Sequence, residues 1–349
     1  MTAFVLLYIY IFFIWIVSNT KKDDTSKRRF QCVASAIGLI FLLAFHSPTL
    51  GCDIVGSYVP AFERTGKDFV FSIDDSIYGF ELGFMNYMVL IHHITNDVQV
   101  FLIISSFIIV IPIIYLFYLK STNVMFSVLI YTSWYLYYFS FSGLRQCLAI
   151  SICVIASVFV FKRKIIPFIL LVLLASFFHT SAMFFLLAYA LYNYKIRTRK
   201  ILFIGVILLI VLTTFKNTML IVADIVFGVD NKYSSHLSST EYGGVTIAIV
   251  YFIFMLYQMY VSKKDNKYIS FLMLLTIIQT TGMYSQVIPR LAYYFIPFFA
   301  LSFPEALHSL PQQKRLLAQT SLLFVFIAFF LMQANSHYLD VTPFKFFWE

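Results

Sequence analysis

Long apolar runs recur along the whole chain and constrain its fold more than any other feature. Stretches of roughly 15–22 residues with few charges follow one another, which is close to the length that a helix needs to cross about 30 Å of hydrocarbon. Only 12% of the 349 residues are charged, whereas a soluble domain averages about a quarter. The runs are continuous, unlike the short alternating strands of a membrane β-barrel. The sequence therefore predicts an all-α, polytopic membrane protein.

Short clusters of basic residues between the apolar runs set the predicted orientation. The clusters are KKDDTSKRR at 21–29, Lys120, KRK at 162–164, KIRTRK at 195–200, KKDNK at 263–267 and QQKR at 312–315. Lys and Arg are enriched in cytoplasmic loops, so we assign all of these clusters to the cytoplasm. About twelve transmembrane helices follow, with both termini outside. The same bias explains the net charge of +9, so no nucleic-acid partner is expected.

Dividing the chain in this way accounts for all but one of its apolar segments. The predicted spans lie near 3–18, 30–46, 97–119, 124–140, 141–161, 165–178, 180–194, 201–222, 245–261, 268–282, 290–307 and 316–333. Segment 79–95 is left over and carries Glu81, Asn86 and two histidines, so we expect a re-entrant or interfacial helix there. We expect one integral membrane domain over 1–349, with external loops near 47–78 and 223–244.

Polar residues that loop anchoring does not explain gather on the external side of this topology. Arg145 and Gln146, in FSGLRQCLAI, begin one descending span, and Arg290, in VIPRLAYYF, begins another. A charge near hydrocarbon costs several kcal/mol unless it is paired or hydrated, so its default interpretation is functional. Their convergence on one face predicts a single water-accessible cavity that opens outward.

Arg145 itself has two explanations. A guanidinium near the end of a span can extend along the helix to the interface. Alternatively, its five donors form a rigid fork that matches phosphate oxygens and stays charged when buried. A helix N-terminus adds unpaired N–H groups and partial positive charge. The second explanation is the better physical match and predicts recognition of a pyrophosphate.

Three residues are candidates for a general base. His179, in ASFFHTSAMFF, is either a structural residue at a turn or a base, acid or phosphate-binding group. Asp53, in GCDIVGSYVPAFERTG, is either a turn residue or a carboxylate that orients an arginine or abstracts a proton from a sugar hydroxyl. Glu81, in FELGF, competes for that role because it lies next to hydrocarbon, where its pKa could rise. The sequence does not separate them.

The remaining candidates are groups that could contact a substrate. Tyr58 and Arg64 lie in the first external loop with Asp53, and Tyr293 follows Arg290 by one turn. Tyr293 either stacks on a sugar ring or belongs to the aromatic belt at the membrane surface. No phosphate-binding Gly loop, CxxC pair, HExxH or GxSxG is present. The sequence therefore argues against ATP-driven work and serine hydrolysis, and predicts no cofactor and no metal site.

Five stretches resemble, in order, the EpsG family of Wzy-type O-antigen and exopolysaccharide polymerases. They are GCDIVGSYVPAF (G-x-D-x-x-x-x-Y), YGFELGF (E-x-G-F), FSGLRQCLAISI (R-Q-x-x-A), LLASFFHTSAM (F-H-x-S-A) and RLAYYFIPFFALSFPE (R-x-x-Y-Y-F…P). They cover roughly residues 50–305. The R-Q-x-x-A element followed by F-H-x-S-A is the most specific combination. The first element departs from the family pattern by having Cys52 before the aspartate.

The resemblance implies a metal-independent membrane glycosyltransferase of GT-C-like architecture in the bacterial inner membrane, with its active site facing the periplasm. Such polymerases transfer a growing glycan from undecaprenyl pyrophosphate onto another lipid-linked repeat unit. The implied partners are those lipid-linked oligosaccharides, the bilayer and a chain-length-regulating co-polymerase. The positions that carry over are Arg145, Gln146 and Arg290 for pyrophosphate, His179, Asp53 and Glu81 for catalysis, and Tyr58 among the substrate contacts.

Two other functions stay open at this point. A flippase or transporter for lipid-linked sugars would share the span count and the cationic cavity, but it would show internal two-fold repetition and charges near mid-membrane. A membrane acyltransferase would use a histidine base with an acyl donor on the cytoplasmic side, away from His179. The external placement of the charges favours the polymerase.

Overall fold

A computed structural model describes residues 2–72, 76–193, 243–262, 266–283, 288–335 and 339–349, with isolated helical positions between 200 and 214. Most of the second predicted external loop, near 223–244, lies outside these residues. Within the described part of the chain, helices account for the regular structure, and the β pairing is an isolated bridge between His46 and Phe346. The all-α prediction is confirmed.

The described helices follow the predicted apolar segments closely. In chain order they are α1 (Thr2–Ser18), α2 (Asp24–Ala44), α3 (Val59–Arg64), α4 (Leu82–His92), α5 (Val98–Lys120), α6 (Val124–Ser133), α7 (Leu136–Phe139), α8 (Leu144–Phe161), α9 (Ile165–Ser176), α10 (Leu187–Asn193), α11 (Gly243–Val261), α12 (Ile269–Thr280), α13 (Ile296–His308) and α14 (Gln312–Asn335). A π-helical turn, Ile54–Tyr58, precedes α3, and 3-10 segments span Ile77–Gly79, Thr180–Leu186, Thr281–Met283 and Ile288–Phe295.

Helices α5, α8 and α14 are long and apolar enough to cross a membrane. Shorter apolar helices, α1, α4, α6, α9, α12 and the Thr246–Val261 part of α11, accompany them. The chain is therefore membrane-embedded, and the count of twelve spans stays a prediction. Helix α4 has 11 residues and is about 16 Å long, too short to cross about 30 Å of hydrocarbon. A short helix thus occupies the segment for which we expected a re-entrant or interfacial one.

The predicted span at 124–140 is not one continuous helix. Helix α6 ends at Ser133, and Tyr135 adopts a left-handed φ of 59° before the short α7 begins. The aromatic residues of this segment pack instead of continuing the helix. Trp134 stacks on Phe329 with ring centroids 4.1 Å apart. The tyrosine hydroxyl of Tyr137 donates to the Leu39 carbonyl at 2.8 Å. Hydropathy alone cannot show such a break, because the segment contains no charged residue, proline or glycine.

The chain divides into two compact units. The first comprises Met1–Leu186 and Leu316–Glu349, and the second Leu187–Arg315. In the first unit α5 packs against α2 and α8, and α8 packs against α9. In the second, α12 packs against α11. The single integral domain expected from the sequence stays a prediction.

The C-terminal segment holds the first predicted external loop. The backbone N–H groups of Gly51 and Cys52 donate to the carbonyls of Asp340 and Leu339, both at 3.0 Å. Gly51 has a φ of +86°, and a Cβ there would lie 2.0 Å from the Phe141 carbonyl oxygen. Only glycine tolerates that conformation and that close approach. The glycine therefore fixes the loop immediately before Asp53.

Candidate active site

Arg145 is the second residue of α8 and lies at the centre of a polar cluster in the first unit. Its Nη1 donates to Glu81 Oε2 at 2.6 Å, and the two side chains are 21% and 17% exposed. The guanidinium carbon lies 4.1 Å from the centre of the Phe80 ring and 5.8 Å from that of Tyr58. A charge-assisted hydrogen bond and two aromatic rings thus hold a half-buried cation at a helix N-terminus.

The guanidinium keeps hydrogen-bonding capacity beyond this ion pair. Arg145 Nε is buried and has no hydrogen-bond partner among the described residues. A buried donor without a partner costs free energy, so such a group gains when an acceptor reaches it. The planar fork of arginine suits the oxygens of a phosphate or carboxylate. The chemistry of this guanidinium is therefore suited to binding an anion in addition to Glu81.

Glu81 connects three segments that are far apart in sequence. It occupies the N-cap position of α4 with extended backbone, and its carboxylate reaches both α8 and the turn after α9. Oε2 accepts from Arg145, while Oε1 accepts from the backbone N–H of Thr180 at 3.0 Å and from its hydroxyl at 3.2 Å. With both oxygens accepting hydrogen bonds, this carboxylate is better suited to orienting Arg145 than to removing a proton.

A close backbone approach beside Glu81 explains the glycine of the E-x-G-F element. Gly83 N–H donates to the Phe177 carbonyl at 2.8 Å. A Cβ at position 83 would lie 2.6 Å from that carbonyl oxygen, a distance that side-chain atoms do not tolerate. The glycine therefore lets the start of α4 dock directly onto the turn that carries His179 and Thr180.

His179 lies in the turn between α9 and the Thr180–Leu186 segment, as predicted. Its Nδ1 is 2.8 Å from Ser181 Oγ and accepts from the Ser181 backbone N–H at 3.4 Å. Because a backbone N–H can only donate, Nδ1 is an acceptor, and the neutral imidazole then carries its proton on Nε2. In this state the ring proton of His179 lies on Nε2.

Asp53 and Tyr58 belong to the same region of the first loop. Ser142 Oγ, immediately before α8, accepts from the Asp53 backbone N–H at 3.1 Å, so this loop is tied to the start of Arg145's helix. Tyr58 is buried, and burial raises its pKa to about 12 even though the neighbouring Arg145 charge opposes the shift. The Asp53 charge also acts on this phenol. Tyr58 is thus a protonated donor near neutral pH and not a base.

The other predicted site residues lie in different surroundings. Arg64 is exposed and donates from Nη1 to the Tyr78 hydroxyl at 3.2 Å. Gln146 is only 4% exposed, so it lies within the packing of α8, and its contact with pyrophosphate stays a prediction. Arg290 and Tyr293 lie in the 3-10 segment Ile288–Phe295 of the second unit, both partly exposed. Their pairing with the Arg145 cluster stays a prediction.

Three contributors to the site carry no signal of their own in the sequence. Phe80 is one of 41 phenylalanines, and Thr180 and Ser142 are ordinary polar residues beside turns. Their roles depend on segments that meet only in the folded chain. Among the described residues, no group of three or more His, Cys, Asp or Glu could hold a metal ion. Independence from metal stays a prediction.

Comparison with known proteins gives one match. The model of the EpsG family matches residues 29–346, which includes every element of the resemblance described above. No curated protein and no solved structure matches the chain.

Proposed function

The chain belongs to the EpsG family and is a polysaccharide polymerase-like membrane protein; from this membership and the Arg145 cluster, we propose that it is a bacterial inner-membrane glycosyltransferase. It transfers a glycan from undecaprenyl pyrophosphate onto a lipid-linked oligosaccharide repeat unit at the periplasmic face, as an O-antigen or exopolysaccharide polymerase does. The supporting observation is the half-buried Arg145, held in place at the N-terminus of α8.

Departure of a lipid pyrophosphate is the step that this cluster supports best. Negative charge grows on the bridging oxygen as the glycosidic bond breaks, and fixed donors in a poorly hydrated site stabilise it without reorganising. Arg145 would supply the cation, and the α8 N-terminus adds partial positive charge. Arg290 is the second cation in this proposal, in keeping with its place in the R-x-x-Y-Y-F element.

Glu81 has the role of a positioning residue in this scheme. It fixes Nη1 of Arg145 and is itself fixed by Thr180, so the orientation of the guanidinium is set before the substrate binds. Preorganised geometry of this kind contributes to rate because no side chain has to be ordered in the transition state. Its engaged oxygens argue against the role of general base.

The proton on the attacking sugar hydroxyl then goes to Asp53 in our scheme. His179 has the role of a phosphate- or sugar-binding residue in this scheme. Asp53 is partly exposed, lies in the G-x-D element, and acts electrostatically on the same phenol as Arg145. A carboxylate at this position is a suitable acceptor for that proton. In this scheme we assign the role of substrate contacts to Tyr58, Arg64 and Tyr293.

The test is turnover of the purified full-length protein with one defined undecaprenyl-pyrophosphate-linked repeat unit, followed by separation of the glycans by length. The protein should produce a ladder of products, which a flippase would not. Arg145→Lys, which keeps the charge and removes the fork, should lower the rate about 10–100-fold, and Arg145→Ala about 10²–10³-fold. Arg29→Ala, an exposed arginine in the first turns of α2, is the matched control. Absence of a ladder from the unaltered protein would refute the polymerase function, and a ladder at the unaltered rate from Arg145→Ala would refute the role given to Arg145.

A further inference from the structure

A polar pocket lies where the basic cluster 21–29 meets the connection between α5 and α6. It has a volume of about 170 Å³, and its charged lining residues are Asp24, Lys27 and Arg28. Two cations and one carboxylate give it a net positive charge. In the predicted topology this end of the helices faces the cytoplasm.

The cations of this pocket are held by specific contacts. Arg28 donates from Nε to the Tyr118 carbonyl at 2.7 Å, and from Nη2 to the carbonyls of Phe117 and Ser121 at 3.1 and 2.6 Å. It therefore caps the C-terminus of α5 and offsets the negative end of that helix. Lys27 Nζ donates to Asn19 Oδ1 at 2.7 Å, which uses one of the three donors of an ammonium group.

The N-terminus of α6 contributes to the same pocket. Thr122, Asn123 and Val124 line it, and Asn123 caps the helix by accepting from the Phe126 N–H at 3.2 Å. The first N–H groups of a helix and its partial positive charge attract anions. Cationic side chains and a helix N-terminus thus converge on one small volume.

An apolar groove adjoins this pocket. It has a volume of about 450 Å³ and runs between α1, α6 and α14, with Phe12, Leu129 and Leu323 among its lining residues. Trp15 and Asn123 line both the groove and the polar pocket. Tryptophan is the residue that membrane proteins place at the level of lipid headgroups. The groove volume lies within the range of about 300–1,000 Å³ that is usual for small-molecule sites.

We propose that the polar pocket and the groove together form a site for an anionic phospholipid of the bilayer. The phosphate would lie beside Lys27, Arg28 and the α6 N-terminus, and one acyl chain would lie in the groove. Basic pockets between helices on the cytoplasmic side attract anionic headgroups. No residue of the Arg145 cluster lines the polar pocket or the groove, so this site is separate from that cluster. The proposal does not depend on the polymerase function.

Retention of lipid by the purified full-length protein tests this proposal. The protein is exchanged into detergent with phosphatidylglycerol, phosphatidylethanolamine or undecaprenyl phosphate as probe, and native mass spectrometry measures the bound lipid. Phosphatidylglycerol should be retained in preference to phosphatidylethanolamine. Lys27→Gln should lower its retention about fivefold, the effect of one lysine beside an anionic headgroup. Lys22→Gln, an exposed lysine of the same cluster, should leave retention unchanged.

A second pair of variants tests the groove. Leu323→Trp, which fills the groove, should lower phosphatidylglycerol retention, whereas Val325→Trp, at a 46% exposed position on the same helix that does not line the groove, should not. Equal retention by Lys27→Gln and Lys22→Gln would overturn the proposal, even if Leu323→Trp folds poorly. Preferential retention of undecaprenyl phosphate over phosphatidylglycerol would also overturn it, by assigning the site to the carrier lipid.

Discussion

Replacing Glu81 with glutamine tests how the guanidinium of Arg145 is oriented. Glutamine has the same size and retains an oxygen that can accept from Thr180, but it loses the charge. Its amide N–H₂ would face Arg145 Nη1, and two donors repel each other. The hydrogen bond between Nη1 and Oε2, 2.6 Å long, is therefore lost while the surrounding packing is kept.

The size of the effect follows from the burial of the pair. A hydrogen bond to a charged group contributes about 1.5–3 kcal/mol, and the exposure of 21% and 17% lets water weaken it. We therefore expect a loss of about 1–2 kcal/mol of transition-state stabilisation. That corresponds to a decrease of about 5–30-fold in kcat/KM. Glu63→Gln, a neighbouring exposed carboxylate in α3, should have no such effect.

A double-mutant cycle separates orientation from general destabilisation. Glu81→Gln, Arg145→Lys and the double variant are assayed by initial rates of glycan elongation. If Glu81 acts through Arg145, the two changes should be non-additive, with a coupling energy of about 1 kcal/mol or more. Effects that add within about 0.3–0.5 kcal/mol, as they do for independent sites, would show that Glu81 does not act through Arg145.

Two further predictions concern the neighbouring residues. Gly83→Ala should lower the free energy of unfolding by about 1–3 kcal/mol and slow glycan elongation, because its Cβ would meet the Phe177 carbonyl. Gly56→Ala is the control, since a Cβ there has nothing within 4 Å. It should be tolerated in the same unfolding and turnover assays. Tyr58→Phe should leave the shape of the pH–rate profile unchanged between about pH 6 and 9, because burial raises the pKa of Tyr58 to about 12 and the phenol stays protonated throughout. A limb of the profile that disappears in Tyr58→Phe would contradict this assignment.

Much of the fold follows from hydropathy, and so does the set of polar residues that are candidates for function. Arg145, Glu81 and His179 stand out because charges and imidazoles are costly beside hydrocarbon. The ion pair between the first two was not predicted. They are 64 positions apart, and hydropathy says which side chains need a partner without saying which segments become neighbours.

The break after α6 is a second feature that hydropathy does not predict. Tyr135, with its left-handed φ, lies in a run that contains no charged residue, proline or glycine, so nothing in the pattern interrupts the predicted span. The packing of Trp134 on Phe329 decides the local conformation, and its partner lies almost two hundred residues away. For Glu81 the sequence leaves two roles open, orienting an arginine or accepting a proton, and its contacts with Arg145 and Thr180 favour the first.

The most direct test of the central claim measures how the protein binds the leaving group itself. Undecaprenyl pyrophosphate, without a glycan, should inhibit elongation by the purified protein, and its inhibition constant reports affinity for the diphosphate. We expect Arg145→Ala to weaken this inhibition about 100-fold, Glu81→Gln to weaken it less, and Arg29→Ala to leave it unchanged. Equal inhibition of the Arg145→Ala variant and the unaltered protein, both with residual activity, would contradict the claim that Arg145 binds the diphosphate.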